Sequence, residues 1–105
     1  MLKDNDVLHS AIDAYGKTAQ VRMCIEEMSE LTKALCKLYR AENEAQYQEY
    51  IQSIREEIAD VRIMTAQMEM IFGDADDIVH RKVDRLRERM KRWRVITEDR
   101  HMDWN

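Results

Sequence analysis

From residue 18 to residue 72 the chain contains no proline, and apolar residues return at steps of three and four in two long runs. That period lines side chains along one stripe of an α-helix, whereas a half-buried strand would need them at every second position. The first run, 18–40, carries Val21, Cys24, Met28, Leu31, Leu35 and Leu38 in close to a heptad pattern. The second, 44–72, carries Ile51, Ile54, Ile58, Val61, Met68 and Phe72, with Thr65 filling one heptad place. Two such stripes can cover each other, so the sequence favours a helical bundle.

Shorter helices are predicted on either side. One spans 4–15 with Val7, Leu8, Ala11, Ile12 and Tyr15 on its apolar stripe and Gly16 as its stop. Another spans 75–94 and directs Ile78, Val79, Val83, Leu86, Met90 and Trp93 inward. In the polar connection 41–44, Asn43 is followed three residues later by Gln46, the form of a capping box. Gly73 fits the position just past a helix end, and Asp74 with Asp77 fits the start of the next helix. The polar tail 95–105 is assigned no structure. With two glycines, no proline and 36% charged residues, the composition agrees with an all-α, four-helix bundle-like domain spanning 1–105. No repeat or linker divides it. So small a monomer buries a limited fraction of its surface, and oligomerisation is expected.

Charge is unevenly placed. Residues 1–80 hold 8 basic and 16 acidic side chains, whereas residues 81–94 hold 8 basic and 2 acidic. An acidic body with one basic arm suits a site where a metal and an anionic ligand meet. A nucleic-acid binder would more often be basic throughout, so no nucleic-acid partner is expected. No apolar stretch is long enough to span a membrane and the N-terminus lacks the apolar core of a secretory signal, which predicts a cytoplasmic protein. Cys24 and Cys36 fall in one helix about 18 Å apart by helical rise, too far for a disulfide, and are read as reduced packing residues.

Two segments carry the chemistry: Glu26-Glu27-Met28-Ser29-Glu30-Leu31 and Glu56-Glu57-Ile58-Ala59-Asp60-Val61. In each, two carboxylates stand three residues apart, Glu27 with Glu30 and Glu57 with Asp60, hence on one face within a turn. With Met28 and Leu31, and likewise Ile58 and Val61, at the a and d heptad places, all four acids sit about 100° around from the core stripe on corresponding flanks. Glu26 and Glu56 then face outward. Packed antiparallel, the helices would line one cleft with four carboxylates. Such a cluster is costly without a cation. Mg²⁺ prefers oxygen ligands and shares its coordination with substrate phosphates, with Mn²⁺ as a substitute, while zinc would want His or Cys.

The pattern Glu27-x-x-Glu30, 26 intervening residues, then Glu57-x-x-Asp60 resembles the signature of the MazG-like, all-α nucleoside triphosphate pyrophosphohydrolases. The local wording, Glu-Glu-x-x-Glu-Leu and Glu-Glu-Ile-Ala-Asp-Val, is similar too, and the resemblance covers about three quarters of the chain. It implies a dimeric or tetrameric helical fold with Mg²⁺ held by Glu27, Glu30, Glu57 and Asp60. It also implies hydrolysis of a nucleoside triphosphate between the α and β phosphates, giving a monophosphate and pyrophosphate. One of the four acids, Glu30 for instance, would double as proton acceptor. Lys82-x-x-Arg85 looks like the basic positions that approach the phosphates in such enzymes. The remaining basic residues of 81–94 read as a solvated face.

Other features add little. The eight methionines suit bundle packing, and His9, His80 and His101 are dispersed. Trp93 and Trp104 could stack on a base or seal a subunit contact, and the sequence does not choose between these. The rival reading is a non-enzymatic helical module whose basic helix binds nucleic acid or an acidic partner, with steep salt dependence and indifference to Mg²⁺.

Overall fold

A computed structural model describes residues 4–93. The tail 95–105, with His101 and Trp104, and Arg94 at the expected end of the fourth helix lie outside the described residues. Four helices follow in chain order: α1 (Asn5–Tyr15), α2 (Lys17–Leu38), α3 (Glu44–Phe72) and α4 (Asp76–Arg92). No strand occurs among the described residues, and the all-α class expected from the sequence is the class adopted. No described helix is long and apolar enough to cross a membrane. The chain divides into two compact units, Met1–Gly73 and Asp74–Asn105.

Local chemistry sets the helix ends. Gly16 has φ 93° and ψ 151°, and Gly73 has φ 115° and ψ 150°. This backbone region is open in practice to glycine alone. Each glycine N–H still donates to the helix it closes, Gly16 to the Ile12 carbonyl and Gly73 to the Glu69 carbonyl, both at 2.8 Å. Asn43 caps α3 through its Oδ1, which accepts from the Gln46 N–H at 2.9 Å. The reciprocal bond differs from an ordinary capping box by one residue, because Gln46 Oε1 accepts from the Glu42 N–H at 2.9 Å.

In the first unit α2 and α3 form the principal contact and α1 lies against both. The long helices run antiparallel: Gln20 near the start of α2 meets Gln67 near the end of α3, and Lys37 and Tyr50 share a cleft at the other end. The register differs from the one expected. The less exposed positions of α2 include Gln20, Cys24, Glu27, Leu31, Ala34 and Leu38, and those of α3 include Tyr50, Ile54, Glu57, Val61, Met64 and Met68. Each set advances in alternating steps of four and three, a heptad seam. Met28 and Ile58, expected at its centre, are 51% and 41% exposed. Cys24, Leu31, Ile54 and Val61 belong to both stripes, so apolar content leaves room for either. Turning each helix by about 50°, half of one residue's step, brings Gln20, Glu27 and Glu57 to the seam, and Gln67 is buried next to it on α3. Cys36, expected to pack, is exposed.

The glutamines account for part of this choice. Gln67 is 2% exposed, its Oε1 accepts from Gln20 Nε2 at 2.8 Å, and its Nε2 donates to the Leu8 carbonyl at 3.1 Å. One amide thus ties α1, α2 and α3 together, and Leu8 and Ile12 of α1 are buried beside it. Burial of an amide is tolerated because both its ends are bonded.

In the second unit α4 has no buried residue. Ile78, Val79, Val83, Leu86, Met90 and Trp93, expected to point inward, are between 40% and 57% exposed. The apolar stripe is present along one side of the helix, but a stripe gives only the capacity for burial, and none of its residues is buried among the described residues. Solvated pairs, Arg87 with Asp84 and Lys91 with Glu88, lie among the charged positions.

Gln67→Ala should lower unfolding free energy by about 1–3 kcal/mol, since Gln20 loses its partner in a buried place. Urea denaturation measures this. The paired change Gln20→Leu with Gln67→Leu should cost less than Gln67→Ala, because no amide is then left unsatisfied.

Candidate metal centre

Two turns along the seam from Gln20, α2 presents Glu27 to α3. There Glu57 and Asp60 stand one turn apart, so all three side chains reach the same place. One carboxylate oxygen of each lies within 4.8 Å of the others, with Glu27 and Glu57 half-buried and Asp60 exposed. The flank position expected for Glu27 and Glu57 is corrected by the seam register: they occupy the helix contact itself, and Asp60 leans in from its edge.

The electrostatic consequence falls on Glu27. Its carboxyl is pushed above the usual carboxylate range, first by loss of water around it, then by the negative charges of Asp60 and Glu57, by a hydrogen bond with Asp60, and by Glu30. Three acids so placed repel one another, and a proton on Glu27 relieves part of that repulsion. Glu57 carries a different burden. Its Oε2 is buried and has no hydrogen-bond partner among the described residues. A carboxylate oxygen without water or donor is expensive to keep.

Glu30, the fourth expected ligand, stands apart from the three-oxygen group. It is exposed, its Oε1 accepts from Lys33 Nζ at 3.4 Å, and it is close enough to Glu27 to contribute to that shift. Glu26 and Glu56 are exposed as expected. Lys82 and Arg85 are exposed on α4 in the second unit. Beside the carboxylates opens a cleft of about 230 Å³ lined by Glu30, Lys33, Lys37, Tyr50, Ser53 and Glu57, together with Ala34. Sequence reasoning passed over its two lysines. The signal was there, since Lys33 and Lys37 follow Glu30 by three and seven residues on the same flank, as Ser53 and Tyr50 precede Glu57 by four and seven.

The donor set fits a hard divalent cation: hard oxygen ligands, negative charge in excess, and a buried oxygen lacking a donor. Glu27, Glu57 and Asp60 are the residues able to hold it, and no histidine or thiol joins them. The chain matches no family model, no curated protein and no solved structure.

The raised Glu27 carboxyl fixes the sign of a pH effect. The fold favours its protonated form, so its contribution to stability is present at low pH and is lost as pH rises from the ordinary carboxylate range through the raised value. Glu27→Gln keeps the shape and removes the charge. In chelator at about pH 7 this variant should therefore melt above the parent protein and lose that part of the pH dependence. Thermal scans across pH check both; a lower melting temperature at neutral pH would contradict the assignment.

Proposed function

We propose that this chain is a Mg²⁺-dependent nucleoside triphosphate pyrophosphohydrolase of the MazG-like type, which cuts between the α and β phosphates and releases a monophosphate and pyrophosphate. The observation that carries this reading is the meeting of Glu27, Glu57 and Asp60 inside a helix contact, with Glu57 Oε2 buried and unpartnered among the described residues. A purely structural seam gains nothing from that arrangement. The paired spacing of the two acidic segments supplies the reaction class, by resemblance.

Mg²⁺ or Mn²⁺, bound by Glu27, Glu57 and Asp60 with Glu30 at the margin, would supply positive charge against phosphate oxygens and acidify water for attack on phosphorus. The side chains do the rest. Glu27, whose carboxyl is pushed up by burial and by its acidic neighbours, would give up its proton on becoming a ligand, so metal uptake would be coupled to pH. Glu57, half-buried at the seam with its Oε2 out of contact with solvent, lowers the exposure of one side of the centre, which strengthens charge interactions there. Glu30, exposed and outside the three-oxygen group, is the acid left to accept a proton from the attacking water. Lys82 and Arg85 are proposed to bring further positive charge to the phosphates. A homodimer or homotetramer is the proposed assembly, supported by the exposed apolar side chains Met28, Leu35 and Ile58 in the first unit and by the uncovered stripe of α4.

The second reading also has an observation in its favour. The same α4 stripe, beside a strongly basic face, suits a helix that docks on an acidic partner or nucleic acid.

A panel of NTPs and dNTPs with and without Mg²⁺, scored for pyrophosphate against orthophosphate, tests the proposal. Pyrophosphate should appear only with the metal. Glu27→Gln and Asp60→Asn should each cut kcat/KM by at least about 100-fold while far-ultraviolet circular dichroism stays unchanged. An active Glu27→Gln protein would remove the proposal, and tight, salt-sensitive nucleic-acid binding indifferent to Mg²⁺ would favour the second reading. Light scattering should give a mass of two or four chains.

A further inference from the structure

The cleft beside the carboxylates has two chemically different ends. At one end Glu57 is shared with the three-acid group, and Glu30 stands opposite. Away from it the α2 wall presents Lys33 and then Lys37, four residues on, while the α3 wall presents Ser53 and then Tyr50. The acidic end suits a cation. The other end offers two ammonium groups, a hydroxyl and a phenol, and among the described residues no carboxylate lines the cleft beyond Glu30 and Glu57. From Glu30 to Lys37 is two turns, about 10 Å by helical rise, a length suited to linked phosphoryl groups rather than to one.

Lys33 currently pairs with Glu30 at 3.4 Å, and both side chains are more than half exposed, so the pair costs little to break. Lys37 lines the cleft, and among the described residues no ion pair engages it.

We infer that this cleft is the polyphosphate channel of the centre: Lys33 and Lys37 receive the distal phosphates of the substrate, and Ser53 and Tyr50 donate hydrogen bonds to them from the opposite helix. The inference rests on the pyrophosphohydrolase reading and deepens it, because it orients the substrate. The phosphates that leave as pyrophosphate lie toward the α2–α3 connection, and the bond to be cut lies at the carboxylates. Cations for the leaving group then come from the same two helices as the metal ligands. Ammonium groups answer a multiply charged leaving group as strong, charge-assisted donors.

The test uses the full chain and two probes. Inorganic tripolyphosphate is titrated by calorimetry in Mn²⁺, and Mn²⁺ alone is titrated by electron paramagnetic resonance. In the double variant Lys33→Gln/Lys37→Gln, tripolyphosphate should bind about tenfold or more weakly, while Mn²⁺ alone binds as well as before or better. Lys33→Arg/Lys37→Arg should restore most of the tripolyphosphate affinity. Arg87→Gln/Lys91→Gln, which removes an equal charge from two solvated pairs on α4, should stay within about twofold of the parent. A lysine double variant that holds tripolyphosphate within about twofold of the parent overturns the inference and leaves the enzyme reading standing. A parent protein with no Mn²⁺ site, or with one untouched by Glu57→Gln, overturns the enzyme reading instead.

Discussion

Where α2 lies against α3, the contact passes from a layer of amides, Gln20 and Gln67, to a layer of acids, Glu27, Glu57 and Asp60, with apolar side chains between. Helix pairs of this length are ordinarily held by apolar seams alone. Here the polar layers impose the register. The amides cannot leave the interior without breaking the bonds that hold α1, and while they stay, the acids two turns along are carried inward with them. Placement of the carboxylates is thus a consequence of how the three helices of the first unit are joined, more than of any attraction between the acids.

That placement works against stability. A seam with apolar residues in place of Glu27 and Glu57 would avoid both the mutual repulsion and the desolvation of an unpartnered oxygen. Local rules of this kind are broken mainly where a side chain is needed for something other than folding. Exposure of Met28 and Ile58 is the counterpart: apolar side chains face out while acids face in. The inversion is concentrated at the two acidic segments, since Leu31, Ile54 and Val61, close by, remain in the interior or at its edge.

Much of this was legible in the residues. The period of the stripes identified the helices, and Gly16, Asn43 and Gly73 marked their ends, because those signals are local and each has one physical meaning. The pairing of Glu27 with Glu57 and Asp60 followed from spacing once antiparallel packing was assumed. What spacing could not decide was which of two overlapping stripes faces inward. Apolar content alone favoured Met28 and Ile58, and the deciding contribution, a bond from Gln67 to the Leu8 carbonyl, spans 59 positions of the chain. The same turn brought Glu27 and Glu57 into the contact and left Glu30 at its edge, on the flank where Lys33 and Lys37 stand. On α4 the period was read correctly, but periodicity names a face without naming what covers it.

The Gln20–Gln67 bond has one more consequence, for how the helix pair comes apart. Amides do not titrate, so this clasp holds with the same strength in acid, at neutrality, and with or without an ion nearby. The acidic layer next to it does change. A change of charge at the acids therefore bears on that layer of the α2–α3 contact alone, while the glutamine end keeps the same two bonds at any pH.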